Sequence, residues 1–297
     1  MLAASLALAW TLDALFGEPP NRWHPVAWLG RLLAPIGRWL CARPPAFAFA
    51  GGALAWCAVA AAVGGLAWAL QGWIVMLLPW YLAVPLLALL LKPAFAWRML
   101  RDEVAAVEQA LQAGGLPAAR ERLARLVSRD VQAMDEAALR ETAIETLAEN
   151  LNDSVVAPLL WAALLGLPGA WLYRCANTAD AMWGYRGRWE WAGKWAARAD
   201  DALSWLPARL AGLWLCRDVA ALRAEARRTP SPNGGWPMGA MALRLGVRLA
   251  KPGVYTLNPA GRPPSGADVA RALAAATHTA WAAAGAASLA LAWRALA

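Results

Sequence analysis

The sequence predicts an all-α, polytopic integral membrane protein, and three observations carry that prediction. Of the 297 residues 60% are hydrophobic and only 16% are charged, whereas soluble domains sit nearer 25% charged. The mean hydropathy is positive, +0.38. Two apolar runs, Ala46 to Leu70 and Trp73 to Leu91, each approach the ~20 residues that a helix needs to cross a bilayer. About four spanning helices, a re-entrant helical hairpin and a set of cytoplasmic helices are expected, forming a single membrane-embedded domain over residues 1–297.

The first span covers residues 1–16, apolar apart from Ser5, Thr11 and Asp13. No lysine or arginine precedes Arg22, so the positive start of a secretory signal is missing. Arg22, Arg31, Arg38 and Arg43 follow it, which places its N-terminus outside and the next segment in the cytoplasm. Residues 46–70 and 73–91 then form a tight hairpin whose turn, Gln71-Gly72, lies outside, and Lys92 returns the chain to the cytoplasm. Residues 92–153 hold eleven of the twenty acidic residues, too many for a span. Helical spacing shows there in Val104, Val107 and Leu111 and again in Leu123, Leu126 and Val127, with Gly114-Gly115-Leu116-Pro117 between them.

Val155 to Leu165 is apolar but only about 16 Å long as a helix, short of the ~30 Å hydrocarbon core. Gly166-Leu167-Pro168-Gly169 interrupts it before Ala170 to Tyr173. Residues 155–173 therefore read as a re-entrant hairpin rather than one kinked span, a break that needs protein or a watery cavity around it. Residues 174–272 are cytoplasmic, and from 217 onward they carry nine Lys/Arg against three acids. Within them Leu203 to Cys216, interrupted by Pro207 and Arg209, lies in the interface or packs in a bundle. A last span of small residues covers 273–293. Both termini then lie outside and every charged segment inside. No internal repeat is present, which argues against an inverted-repeat transporter.

Charge and cysteine content exclude several classes. The net charge of +8 is almost all arginine, the only lysines being Lys92, Lys194 and Lys251. The arginines are spread over every polar segment without a basic run, so nucleic acid is not a partner. Cys41, Cys57, Cys175 and Cys216 are far apart and form no C-x-x-C, so no redox or zinc role is assigned. Cys57 reads as a small buried hydrophobe. No G-x-x-x-x-G-K-[ST] is present, so nucleotide use is not of the P-loop kind.

The chemistry concentrates in residues 141–153. Glu141, Glu145, Glu149 and Asp153, with the carboxamides Asn150 and Asn152, fall within thirteen residues. Glutamates every four residues share one helical stripe about 12 Å long and repel one another. A metal ion or arginines must compensate them. A surface helix salt-bridged to Arg125, Arg129 and Arg140 explains the charges about as well; the carboxamides tip the balance, because hard cations take carboxylate and carboxamide oxygens. Asn177 and Asp180 lie one helical turn apart, although Asn177 also suits a helix N-cap. Asp200-Asp201 is a second acidic pair, equally compatible with an exposed surface. Ser231-Pro232-Asn233-Gly234-Gly235 is a turn whose N–H groups can cradle an anion. His24 reads as structural or interfacial and His278 as packing.

Several blocks together carry a resemblance. Leu12-Asp13-Ala14-Leu15-Phe16-Gly17-Glu18-Pro19 with His24-Pro25-Val26 resembles the opening of the adenosylcobinamide-phosphate synthase family, the membrane enzymes of cobalamin biosynthesis. Ser128-Arg129-Asp130, residues 145–153, Val155-Val156-Ala157-Pro158, residues 177–185, Asp200-Asp201 with Pro207-Ala208-Arg209-Leu210, and residues 231–237 extend it, in order, from about residue 12 to 270. Ser154 stands where the pattern has glycine. The resemblance implies amide formation between a propionate carboxylate of adenosylcobyric acid, a corrinoid, and the amine of aminopropanol phosphate or a related amino alcohol. ATP would drive it, with Mg2+. The location implied is the bacterial inner (cytoplasmic) membrane, with the lipid bilayer and other membrane enzymes of the pathway as partners.

On that reading Glu145, Glu149, Asp153 and Asp180 take metal or base roles, Glu145, Glu149 and Asp153 being the metal ligands. Arg129 and Arg209 clamp phosphate or carboxylate groups, and Asn150, Asn177 and Asn233, with Asp200 and Asp201, bind substrate. The competing class is a non-enzymatic membrane sensor or corrinoid-handling scaffold. A sensor is expected to lose the carboxylate and carboxamide blocks, and they are intact here.

Overall fold

A computed structural model describes residues 1–296. In chain order the helices are α1 (Leu2–Phe16), α2 (Pro25–Cys41), α3 (Pro45–Leu77), α4 (Trp80–Leu91), α5 (Trp97–Leu123), α6 (Glu136–Leu151), α7 (Ala157–Leu165), α8 (Leu167–Trp183), α9 (Lys194–Leu215), α10 (Val219–Ala226), α11 (Gly235–Leu245) and α12 (Gly266–Arg294). The all-α expectation holds apart from one antiparallel hairpin, β1 (Leu249–Lys251) and β2 (Tyr255–Leu257), paired Leu249 to Leu257 and Lys251 to Tyr255. Contacts divide the chain into two compact units. The first comprises Met1–Ala96, Ala157–Ser204 and the segment from Ala283; the second comprises Trp97–Val156 and Trp205–Ala282.

In the first unit α3 is one helix of 33 residues that runs straight through Gln71-Gly72. This corrects the expected turn at that dipeptide. The reversal comes instead at Leu78-Pro79, where Leu78 is extended (φ −107°, ψ 141°), as the residue before a proline prefers. A lone glycine costs a helix only ~1 kcal/mol, too little to break a long apolar one. Leu54, Leu66, Trp68, Trp73 and Met76 of α3 are exposed, and most of its apolar length is not covered by other parts of the chain. A soluble core helix would hide that surface.

Two helical stretches are long and apolar enough to cross a membrane, Pro45–Leu77 and the run Trp80–Leu123 counted through α4 and the 3-10 turn at residues 92–94. The other two expected spans fall short in different ways. With 15 residues α1 reaches about 22 Å. The 29 residues of α12 suffice in length, but alanine carries little of the transfer energy that larger side chains supply.

A helical reversal is present where the re-entrant hairpin was expected, but its second arm runs on to Trp183 rather than ending at Tyr173; the reversal is confined to Gly166. That residue has φ 72° and ψ −148°, a region open essentially to glycine alone. A Cβ on Gly169 would lie 2.2 Å from the Trp161 carbonyl, so α7 and α8 fold back into direct contact. Gln71 Oε1 accepts the Leu167 N–H at 2.7 Å, which gives the polar residue of α3 its role. Leu29 and Leu33 of α2, Cys175, Ala179 and Trp183 of α8, and Ala196 of α9 form the core beside them. Cys57, expected to be buried, is exposed on α3, and His278, expected to pack, is exposed on α12.

In the second unit α5 kinks at Gly115 (φ 69°), within the glycine-proline break that the sequence marks. Asp135 caps α6 by accepting the Ala138 N–H at 2.8 Å. Helix α6 packs on α5, α11 and β1. It ends in a π-turn over Asn152–Val156, a device frequent at functional sites.

Candidate functional site

Helix α6 presents the glutamates of the expected stripe, but their environments differ. Glu141 is buried and anchors the β-hairpin, taking Arg248 Nη2 at 3.1 Å and the Ala250 N–H at 3.0 Å. Glu145 is 1% exposed and pairs with Arg129 Nη2 at 2.8 Å. Burial raises its carboxyl above the usual range, against the opposing pull of Arg129 and a weaker one from Tyr255. Its Oε1 meets no donor at hydrogen-bond geometry. Of the three arginines weighed as partners for the stripe, only Arg129 serves; Arg125 pairs with Glu121, and Arg140 with Glu108 and Glu136.

Glu149 is accessible to water yet ringed by protein. Loss of solvation, then repulsion from Asp153 and Glu145, pushes it up to about 7. A Cβ on Gly234 would approach Glu149 Oε1 to 3.2 Å, so the start of α11 forms one wall of this recess. Lys251 and Arg129 oppose the shift from farther off. Asp153 lies in the π-turn, close enough to Glu149 to repel it, and accepts from Asn152 Nδ2 at 2.8 Å. The Asn152 Oδ1 is buried without a partner. Asn150 donates back to the Thr146 carbonyl at 3.0 Å, which turns its amide N–H to its own helix.

Arg209 and Asn233 come together in the same unit, 2.9 Å apart. Arg209 also donates to the Trp205 and Pro232 carbonyls and lies over the rings of Trp205 and Trp236 at 4.2 and 4.9 Å. It clamps the loop before α11, within a cleft of about 610 Å³ that Arg223 and Arg227 also line. The anion cradle expected of that loop is already filled: Ser231 Oγ accepts the N–H groups of Asn233 and Gly234 at 3.2 and 3.1 Å.

The remaining expected residues belong to the first unit. Asn177 lies inside α8 rather than at a cap, accepting from Arg174 Nη1 and donating to Asp200 Oδ1, both at 3.3 Å. Asp180 lies one turn on, against Gly184, where a Cβ would come within 2.0 Å of Asp180 Oδ1. Asp201 lines a cleft of about 430 Å³, and burial raises its carboxyl.

Sequence reasoning missed one buried charge network in this unit. Lys92 Nζ reaches Asp13 Oδ1 at 3.1 Å and Glu18 Oε1 at 2.5 Å, and Glu18 Oε2 meets His24 Nε2 at 2.7 Å. His24 Nδ1 also caps α2 by accepting the Val26 N–H at 3.2 Å. Burial alone would raise Glu18, but His24 and Lys92 outweigh it and hold the carboxyl low. The motif Asp13…Glu18…His24 was a signal; its partner Lys92, far along the chain, carried none. Tyr255 and Lys251, beside the α6 carboxylates, lay on the unforeseen β-hairpin.

Among the described residues no three His, Cys, Asp or Glu side chains gather tightly enough to enclose a metal ion. Burial first, and then repulsion from Asp153 and Glu145, raises Glu149 to about 7; magnesium bound with phosphate needs only one or two carboxylates, and Glu149 with Asp153 is the pair that would supply them.

A fold of apolar helices, with a π-turn delivering carboxylates to an open recess, defines the class of polar-faced α-helical protein with a candidate acid–base or metal centre. The chain belongs to the CobD/CbiB protein family, whose model matches residues 6–285. It is 42% identical over 280 residues to the probable cobalamin biosynthesis protein CobD of Pyrococcus abyssi, covering 92% of this chain and 90% of that one. It is 38% identical to the cobalamin biosynthesis protein CobD of Rhodobacter capsulatus, over 92% and 90% of the two chains. With the Klebsiella pneumoniae protein of that name the identity is 35%, over 86% and 84%. No solved structure matches the chain.

Proposed function

We propose that this chain is an enzyme of cobalamin biosynthesis that joins the amine of aminopropanol phosphate, or a related amino alcohol, to a propionate carboxylate of adenosylcobyric acid. ATP supplies the driving force by transferring its terminal phosphoryl group to that carboxylate. The amine nitrogen then attacks the acyl carbon, the C–N bond forms, the phosphate leaves with the C–O electron pair, and the ammonium proton passes to a protein base. The observation that carries this reading is the grouping on α6 and its π-turn of a solvent-exposed Glu149, a buried Glu145 paired with Arg129 and with one oxygen unpartnered, and Asp153, a grouping that raises the Glu149 carboxyl. A base poised near working pH transfers protons most effectively.

Magnesium, when bound, would supply charge neutralisation on the phosphoryl oxygens; Glu149 and Asp153 would hold it, and Glu145 has one carboxylate oxygen without a hydrogen-bond partner to add. Arg129 neutralises Glu145 and keeps a guanidinium beside the recess for an anionic substrate group. Asp180, Asn177 and Asp200 are positioning groups of the first unit. The setting is the bacterial cytoplasmic membrane, crossed several times, with polar segments facing the cytoplasm and other membrane enzymes of the pathway as neighbours. The exposed apolar face of α3 supports it.

Glu149→Gln keeps the side chain's shape and removes its charge. Turnover of adenosylcobyric acid with ATP should fall roughly 10²- to 10⁴-fold. Recovery at high magnesium would identify Glu149 as a metal ligand and exclude the base role. Unchanged turnover at saturating magnesium would remove it from the site.

A further inference from the structure

The second half of α9 reverses the usual order of a surface helix, which buries its apolar stripe and shows polar residues to water. From Trp205 onward it belongs to the second unit, and its two faces separate at helical spacing. Pro207, Ala208, Ala211 and Leu215 are buried. Gly212 closes this inner face: a Cβ there would lie 3.1 Å from the Trp236 carbonyl and 3.2 Å from Leu222. The outer face carries Trp205, Leu206, Leu213 and Trp214, all exposed, with Arg209 among them. Val219 of α10, also exposed, lines the same cleft as Trp205 and extends the patch. A contiguous apolar surface of this kind marks an interaction site.

Its charge says what covers it. Arg217 follows the helix, and Arg223 and Arg227 line the cleft of about 610 Å³ beside Trp205. All three are exposed, and none forms an ion pair among the described residues. No residue lining the cleft is acidic. The neighbouring acids are engaged elsewhere: Asp218 caps α10 by accepting the Ala221 N–H at 3.0 Å, and Glu225 pairs with Arg228. Arg209 is spent on the Trp205 and Pro232 carbonyls, which leaves Arg223 and Arg227 for a partner. A second copy of a chain with net charge +8 would bring further arginines to this rim. Tryptophan and leucine bordered by arginine suit the headgroup region of a bilayer instead, and an anionic leaflet strengthens binding about fivefold per basic residue near its surface.

We propose that this face of the second unit lies on an anionic phospholipid surface. Trp205, Leu206, Leu213 and Trp214 enter the boundary between headgroups and acyl chains, and Arg223 and Arg227 take lipid phosphates through paired guanidinium donors. Residues 203–216 thus serve both roles that the sequence allows, packing inward in the helical unit and outward on lipid. The inference goes beyond the amide chemistry and does not rest on it.

The test uses the full chain in nanodiscs, with Cys41→Ala, Cys57→Ala, Cys175→Ala and Cys216→Ala as background and a fluorescent label on Leu213→Cys. In mixed phosphatidylglycerol–phosphatidylcholine discs, nitroxide-labelled headgroups should quench the label and aqueous iodide should not. The label on Trp214→Cys should give the same pattern, so that a local disturbance at one position does not decide the result. Removing phosphatidylglycerol, or combining Arg223→Glu with Arg227→Glu, should raise iodide quenching roughly threefold or more, with the melting temperature unchanged.

Iodide quenching at both positions in the anionic discs overturns the proposal. So does protection that persists in pure phosphatidylcholine or in the double arginine variant. Protection found only in discs holding two copies assigns the face to self-association and overturns it as well. Every readout is a quenching ratio or a melting temperature, so the outcome is independent of whether the chain forms the amide.

Discussion

At the scale of single residues, similar side chains on one helix do different work because their surroundings differ. Glu141 is tied to the β-hairpin, Glu145 to Arg129, and Glu149 faces an open recess with its carboxyl raised to about 7. Glu149 therefore binds its proton more tightly in the folded chain than in the unfolded one. Stability from this residue is full below the unfolded value near 4.5 and falls as pH rises through about 7. Glu149→Gln should melt higher than the parent at pH 8, and the gain should vanish toward pH 5 in thermal melts. At the Arg129–Glu145 pair, removing a charge should destabilise the fold rather than stabilise it. Arg129→Ala strands a carboxylate that is 1% exposed and should cost about 3–5 kcal/mol; adding Glu145→Gln should restore much of it, as read by denaturant titration. Spacing made the stripe legible, but not which glutamate had a partner, because the partners lie up to 109 positions away in the chain.

Among the elements, two glycines of one sequence type have opposite consequences. Gly72 sits inside α3 with open space around a would-be Cβ, so Gly72→Ala should be neutral or stabilise by up to ~1 kcal/mol. Gly166 combines φ 72° with a Cβ position 2.4 Å from Gln71 Oε1. Gly166→Ala should cost about 1–3 kcal/mol or more and loosen the α7–α8 reversal, seen as faster proteolysis at residues 165–169. The sequence marks the second break because glycine and proline cluster there and the apolar run is too short to span. It misplaces the first because Gln71-Gly72 looks like a turn, while Gln71 serves instead as a hydrogen-bond acceptor for Leu167. The π-turn over Asn152–Val156 left no readable signal.

For the molecule as a whole, the exposed apolar side chains of α3 argue for a lipid environment. Cys57 is exposed near the middle of that helix. In membrane vesicles, a variant retaining Cys57 as its sole cysteine should resist a charged, water-soluble maleimide and react with an apolar one. Rapid labelling by the charged reagent would place α3 in water and sink the membrane reading of this helix. The family match over residues 6–285 agrees with the ordered blocks from residue 12 to about 270, so family membership was legible at the level of motifs.

By itself the sequence determined the helical class, the chain break near Gly166 and the family. Each depends on local composition, on periodicity or on the order of short motifs, and these survive without knowledge of contacts. The tertiary structure decided what each polar residue does. It set Lys92 between Asp13 and Glu18, assigned Arg209 to the loop before α11, and left Glu149 rather than Glu141 at the open recess. The reason is electrostatic: a carboxylate's charge and proton affinity follow from burial and from neighbours brought near by folding, and those neighbours are distant along the chain.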